Sequence, residues 1–273
     1  RALRTELRRT GQFRGSDEGG KPFGFFTGAT GITVYRGDAW PQKYHGNLLV
    51  GDVANNLVYR ATLETDGLGL VARRADEDRE FLASRDIWFR PVQMANAPDG
   101  TLYILDICRE LIEGAAFLPP EFLKYLDPVS GNDRGRIYRI APRGFKQPPP
   151  PRLGDASSQE LVSLLENSNG WHRDTASRLL YQRQDATVTA ELEKVALTSD
   201  LAEGRMAALY SLDGLGTLSE RILLQALADH APLVRNHALK LTESQLATSP
   251  GLVAAICNMT DDSDIRVRYQ LAF

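Results

Sequence analysis

One arginine returns at a near-constant interval along the second half of the chain, at positions 173, 205, 235 and 268, in steps of 32, 30 and 33 residues. Each opens an apolar stretch: Arg173 leads to Leu179-Leu180, Arg205 to Leu209 and Leu212, Arg235 to Leu239 and Leu241, and Arg268 to Leu271. Each is preceded by a second apolar stretch, at 161–165, 192–197, 222–227 and 252–256. Short turns carrying Asp or Asn join the two, as in Ala228-Asp229-His230-Ala231-Pro232 and Asp261-Asp262-Ser263-Asp264. A pattern that returns every thirty-odd residues leaves few architectures open. A single helix pair cannot bury its own apolar face, so successive pairs stack into an α-solenoid. The recurring arginine then braces the turns by pairing with Asp or with carbonyls, a structural role and not a catalytic one.

The pattern does not extend to the first half. Residues 1–146 hold 17 of the 23 glycines and 17 of the 22 aromatic residues. Short β-prone runs punctuated by turns predict strands at 31–35, 47–52, 57–63 and near Glu80-Phe81-Leu82-Ala83. Four strands in about 50 residues is the size of one propeller blade. A second unit restarts with Pro91-Val92-Gln93-Met94-Ala95, turns at Ala97-Pro98-Asp99-Gly100, and continues with strands at 101–106 and 135–140. A helical insertion is expected near 119–125. Between the halves stands Gln147-Pro148-Pro149-Pro150-Pro151-Arg152. Four prolines continue neither a helix nor a ladder and favour a stiff, extended spacer. The expected organisation is therefore a polar lead-in at 1–25, the closing blades of a β-propeller at 26–146, a linker at 147–152, and a helical solenoid at 153–273. The chain starts at Arg1 without Met and stops at Phe273 inside a helical pattern. It is therefore expected to be a fragment of something longer.

Composition narrows the function classes. The net charge is −3 and there is no Lys/Arg-rich block, which argues against nucleic acid as a partner. No run approaches the ~20 apolar residues of a membrane span. Cys108 and Cys257 are too few for a disulfide framework, and neither begins a Cys-x-x-Cys-His haem attachment. His45, His172, His230 and His237 do not cluster in sequence or show ligand spacing. Gly-x-Gly-x-x-Gly, Walker and Gly-x-Ser-x-Gly motifs are missing.

The segment Trp88-Phe89-Arg90-Pro91-Val92, with Ala97-Pro98-Asp99-Gly100-Thr101-Leu102-Tyr103-Ile104-Leu105-Asp106, resembles the glucose/sorbosone dehydrogenase type of six-bladed propeller. Cys108-Arg109-Glu110-Leu111-Ile112-Glu113, Gly135–Ile140 and Gly170-Trp171-His172-Arg173-Asp174-Thr175-Ala176 follow in order. The whole set resembles the planctomycete-type membrane-bound dehydrogenases, in which such a propeller is followed by HEAT-like repeats and often by a c-type cytochrome module. The helical pattern itself is similar to HEAT repeats, whose second helix opens with Val-Arg. The chain departs from the family after Glu113, where Gly114-Ala115-Ala116 stands in place of an expected His.

The resemblance implies a periplasmic or exported protein that oxidises a sugar or alcohol. Pyrroloquinoline quinone and calcium would sit at the propeller mouth, and haem c in a module outside this segment. Arg90 is the best positional match for a quinone-binding arginine, with Arg85 on the same loop; an inter-blade bridge is the structural alternative for both. Asp52 and Asp106, ending equivalent strands, could reach a metal or simply cap turns. The base that removes the substrate proton would belong to an earlier blade, so no catalytic residue is assigned. The rival expectation is a non-catalytic propeller plus solenoid that binds glycans or partner proteins.

Overall fold

The computed structural model describes residues 26, 28–77, 79–112 and 119–273. The polar lead-in and the Gly114-Ala115-Ala116 departure lie outside the described residues. The architecture is mixed: two antiparallel sheets, then a helical C-terminal region.

The first sheet is a meander of β1 (Ala29–Val34), β2 (Leu48–Asp52), β3 (Leu57–Asp66) and β4 (Gly69–Arg74), in that spatial order. The short β5 (Leu82–Ala83) pairs with the start of β3, beside β4. The strand at Gly69–Arg74 was not expected; the short run expected near Glu80 is the two-residue β5. The signal for β4 was present: Gly67-Leu68, after Asp66, is a two-residue hairpin turn, and Gly67 takes φ +57°, which a residue without Cβ adopts freely. The second sheet is a three-stranded meander of β6 (Pro91–Asn96), β7 (Leu102–Asp106) and β8 (Arg136–Ile140), with α1 (Pro120–Leu123) between β7 and β8.

The two sheets pack with β1 and β2 against β6. Leu49 and Val58 of the first meet Met94, Leu102 and Ile104 of the second in one core with Tyr35 and Phe89. The approach is close because glycine faces it. A Cβ on Gly31 would stand 2.6 Å from Gln93 Cα, and one on Gly51 2.8 Å from the Pro91 carbonyl oxygen. Side chains of β1 then bond the backbone of β6: Thr30 Oγ1 donates to the Pro91 carbonyl at 2.6 Å and Thr33 Oγ1 to that of Met94 at 2.9 Å.

The helical region comprises α2 (Ser158–Leu164), α3 (Gly170–Arg183), α4 (Thr189–Thr198), α5 (Ala202–Gly214), α6 (Glu220–Leu227), α7 (Pro232–Thr242), α8 (Pro250–Cys257) and α9 (Ile265–Leu271). Starts are set by local chemistry. Ser157 and Glu160 form a capping box, Asn169, Ser249 and Asp264 cap α3, α8 and α9, and Pro232 and Pro250 occupy first turns. The helices stack in two rows: α2, α4, α6 and α8 touch in sequence, as do α3, α5, α7 and α9. Leu161, Leu165, Leu180, Leu192, Leu209, Leu212 and Ile222 are fully buried between them, each contributing about 1.5–3 kcal/mol of apolar burial.

Residues 147–152 are without regular structure, and 147–150 are exposed. Loops far from the prolines in sequence also bond the helices directly to the sheets.

Candidate functional site

Three clusters of polar side chains are candidates: the strand ends where a cofactor was expected, the junction of sheets and helices, and the arginine series along the helices.

At the strand ends, Arg90 enters β6 with its side chain wholly buried (0% exposed). A buried guanidinium needs acceptors in fixed directions, and the backbone supplies them. Arg90 Nη1 donates to the Val53 carbonyl at 2.5 Å, Nε to that of Arg109 at 2.7 Å and Nη2 to that of Glu110 at 2.6 Å. It thereby ties the β2–β3 turn of one sheet to the loop after β7 of the other. Asp106 faces the same point. Its Oδ1 accepts the amides of Arg90 and Cys108, both at 2.8 Å, and its Oδ2 accepts Arg136 Nε at 2.9 Å. Asp86 Oδ2 stands 3.3 Å from Arg136 Nη1. Asp52 has the equivalent place in the first sheet. Its Oδ1 accepts the amides of Ala54 and Asn55, and its Oδ2 accepts Asn55 Nδ2. Arg85 is exposed on the loop between β5 and β6.

The structure thus brings Arg90 and Asp106 together through a backbone amide and leaves Asp52 in its own turn. For a quinone and a calcium ion the fit is poor. The Arg90 donors point at carbonyls, and both aspartates are saturated by amides or arginine. Among the described residues no group of three or more His, Cys, Asp or Glu is placed to hold a metal ion. Cys108 is buried and Cys257 exposed, both as free thiols.

At the junction, the turn before α3 docks onto loops of both sheets. Asn169 Nδ2 donates to the carbonyls of Ala97 and Pro98 at 3.1 and 3.2 Å, while its Oδ1 caps α3 at the Trp171 amide. His172 Nε2 lies 2.9 Å from the Pro98 carbonyl. The Gly170 amide donates to the Arg36 carbonyl at 2.8 Å, and Arg36 forks onto Asp174 at 2.7 and 2.9 Å. Ser168 Oγ donates to Asp38. Gly170 leaves room for the Arg36 side chain, whose Nε would stand 2.9 Å from a Cβ placed there. From the other side, Tyr35 Oη donates to the Gly100 carbonyl at 2.6 Å, and burial raises the Tyr35 pKa. Sequence reasoning placed Arg36-Gly37-Asp38 in a turn and Asn169–Asp174 in a repeat, and did not join them. Two polar turns 130 residues apart carry no periodic signal that would pair them.

Along the helices, the recurring arginine follows one rule. Nη1 donates to the carbonyl six residues earlier: Arg173 to Asn167 at 2.5 Å, Arg205 to Ser199 at 2.6 Å, Arg235 to Asp229 at 2.8 Å, and Arg268 to Asp262. Each of those four turn residues also caps, through its side chain, the amide two residues on. Two arginines reach forward as well. Arg205 forks onto Asp229 at 2.7 and 2.8 Å, and Arg235 onto Asp262 at 2.8 and 2.7 Å. The turn-bracing role expected of this arginine is what the geometry displays. Burial pushes the Asp229 carboxyl up, but the Arg205 hydrogen bonds and the Ala231 amide outweigh it, so the net shift is downward. Asp262 is lowered chiefly by Arg235. Among the described residues Arg173 makes no forward ion pair, and Ser199 stands where the next two turns carry Asp. Its own pKa is lowered by burial and then by nearby Arg36.

Of the other histidines, His237 Nδ1 lies 2.8 Å from Tyr210 Oη, and burial followed by Lys240 lowers its pKa. His230 stands beside Asp229 in a turn, and His45 ends a single 3-10 turn after β1. No helix among the described residues is long and apolar enough to cross a membrane.

Residues 4–144, just over half of the chain, match the sequence model of a family described as a domain of unknown function (DUF7133). No curated protein and no solved structure matches the chain.

Proposed function

We propose that this chain, which belongs to the family described as a domain of unknown function (DUF7133), is a rigid recognition scaffold. On this reading the sheets are consecutive blades of a β-propeller, and the helices are an α-solenoid of HEAT-like repeats. Together they present one continuous surface to a partner protein or glycan. The observation that carries it is the junction. Asn169, Gly170, His172 and Asp174 bond to Arg36, Ala97 and Pro98, so the helices and both sheets share one network. The polar groups at the strand ends support the same reading, since they are committed to holding loops and not to a ligand.

The test is thermal unfolding followed separately by near-UV aromatic signal and by helical far-UV signal. A single scaffold melts in one coincident transition, and Asn169→Ala combined with Arg36→Ala separates the two signals. Two independent transitions in the unaltered chain would remove the reading.

A second reading is favoured by the ordered motifs from Trp88 to Ala176. It is a periplasmic or exported sugar or alcohol dehydrogenase, with pyrroloquinoline quinone, bound together with calcium, and a haem c module outside this segment as its redox groups. Arg85 is then the residue to examine. Titration with pyrroloquinoline quinone and calcium should show saturable binding weakened by Arg85→Ala; no binding, or binding unaffected by the substitution, removes Arg85 from such a site.

A further inference from the structure

Of the four histidines, His172 is the one whose ring bonds across the junction of sheets and helices. Its Nε2 lies 2.9 Å from the Pro98 carbonyl, and a carbonyl only accepts, so Nε2 carries the ring proton. Nδ1 is buried and, among the described residues, has no hydrogen-bond partner. An edge-to-face contact with Trp171, centroids 5.1 Å apart, holds the ring in place. The charged groups brought to the junction are committed elsewhere. From the loop after β1, Arg36 forks onto Asp174 of α3, and Asp38 accepts Ser168 Oγ. From the turn after β6, Asp99 accepts Thr101 Oγ1 and pairs with Arg139 of β8. Arg173 of α3 bonds the carbonyls of Asn167 and Ser168, and Glu203 of α5 reaches Arg36 and Arg173 through charge alone. None of them is bonded to Nδ1.

We infer that His172 makes the junction a proton-sensitive latch, closed while the imidazole is neutral and released when it takes a second proton. In the closed state that proton would sit on Nδ1, a buried N–H facing no acceptor. A buried donor without an acceptor is costly, and a charged one more so. Once the turn before α3 leaves Pro98, both ring nitrogens face water and the imidazolium is hydrated. The open state therefore binds the extra proton and the closed state does not, so acid favours opening. An imidazole in water titrates at about pH 6.5, so a closed state that excludes the proton loses about tenfold in its closing equilibrium between pH 7.5 and pH 5.5. Carboxylates in general titrate about two units lower, which leaves the Arg36–Asp174 and Ser168–Asp38 bonds in place across this window. The latch governs the continuity of the presented surface and so rests on the scaffold reading; it is independent of the redox reading.

The first amides of a helix have no acceptor within it, so the Gly170 amide, bonded to the Arg36 carbonyl at 2.8 Å, reports the junction alone. Its hydrogen exchange in the full chain is followed at pH 7.5 and pH 5.5 and corrected for the intrinsic pH dependence of exchange, with the Leu209 and Leu212 amides of α5 as reference. Protection of Gly170 is expected to fall about tenfold at pH 5.5 while the reference amides keep theirs. His172→Gln retains an N–H donor for the Pro98 carbonyl and cannot titrate, so its Gly170 protection should be equal at the two pH values. Nitrogen-15 NMR of the histidine rings needs no variant: at pH 7.5 His172 should carry its proton on Nε2, and the second proton should arrive together with the loss of Gly170 protection. Protection undiminished at pH 5.5 overturns the latch alone. So does an equal fall in His172→Gln, or a ring that takes its second proton while Gly170 stays protected. A Gly170 amide already unprotected at pH 7.5 overturns the latch and the scaffold reading together.

Discussion

The sheet region and the helical region both rely on arginine, in opposite ways. In the sheets, Arg90 is a single knot: one side chain bonds three carbonyls from two distant loops, and nothing else among the described residues repeats it. In the helices, arginine is a series in which each member bonds its own turn and two also clasp the next. The first arrangement concentrates stability in one non-local point. The second spreads it over nearest neighbours, so loss of one rung is local. The consequence is a sheet core vulnerable at single residues and a helical stack that weakens by steps.

The sharpest way to break this contrast is Arg90→Ala. It strips the carbonyls of Val53, Arg109 and Glu110 of a buried charged donor, and should cost about 3–5 kcal/mol in urea unfolding. A loss under about 1 kcal/mol would mean that the knot does not hold the loops. Next comes Asp229→Asn, which leaves the buried Arg205 guanidinium without its counter-charge. About 3 kcal/mol of destabilisation is expected, with hydrogen exchange raised in α5–α7 and not in the sheets.

Acid offers a third test. Asp229, Asp262 and Asp264 all have depressed folded-state pKa values, Asp264 down to about 2 through its Arg266 hydrogen bond. A depressed carboxylate stabilises above its unfolded value of about 3.9, and that stability is lost as pH falls through the folded value. Stability should therefore decline from about pH 4 toward pH 2, and Asp229→Asn with Asp262→Asn should flatten the decline. An unchanged slope in the double variant would detach the ladder from acid sensitivity.

Ser199→Asp is a constructive counterpart. It places a carboxylate where Arg173 has only carbonyl partners, and should raise stability by about 1 kcal/mol at pH 7, with the gain gone by pH 2. The smallest effect is expected from Arg36→Ala. Its ion pair with Asp174 is substantially exposed, and the loss should be about 0.5 kcal/mol, reduced further by salt. A large loss there would make the junction depend on one surface pair instead of on its carbonyl bonds.

The helical half was legible because its stabilising contacts are periodic. An arginine and an Asp-bearing turn that return together announce both the helix pair and the brace, since a contact between neighbouring repeats writes itself into the sequence at every period. Most strands were legible from alternation and turn glycines. β4 was missed because it is exposed and carries Arg73 and Arg74, so it lacks an apolar signature. Asp52 and Asp106 illustrate the limit at the candidate site. Both end equivalent strands, but whether their oxygens face a ligand or an amide depends on how the following turn folds, and only the structure places Ala54 and Cys108 beneath them.

Local pattern and period determined the two halves, their boundary, the helix pairs and the brace of each turn, because those interactions lie within about 30 residues and recur. The tertiary structure alone decided where Arg90 spends its donors, that Gly31 and Gly51 let β6 lie against the first sheet, and that Arg36, Pro98 and Asn169 close the halves into one body. Those contacts join residues tens to more than a hundred positions apart and occur once each. A unique long-range contact leaves no repeat, spacing or composition from which it could be read.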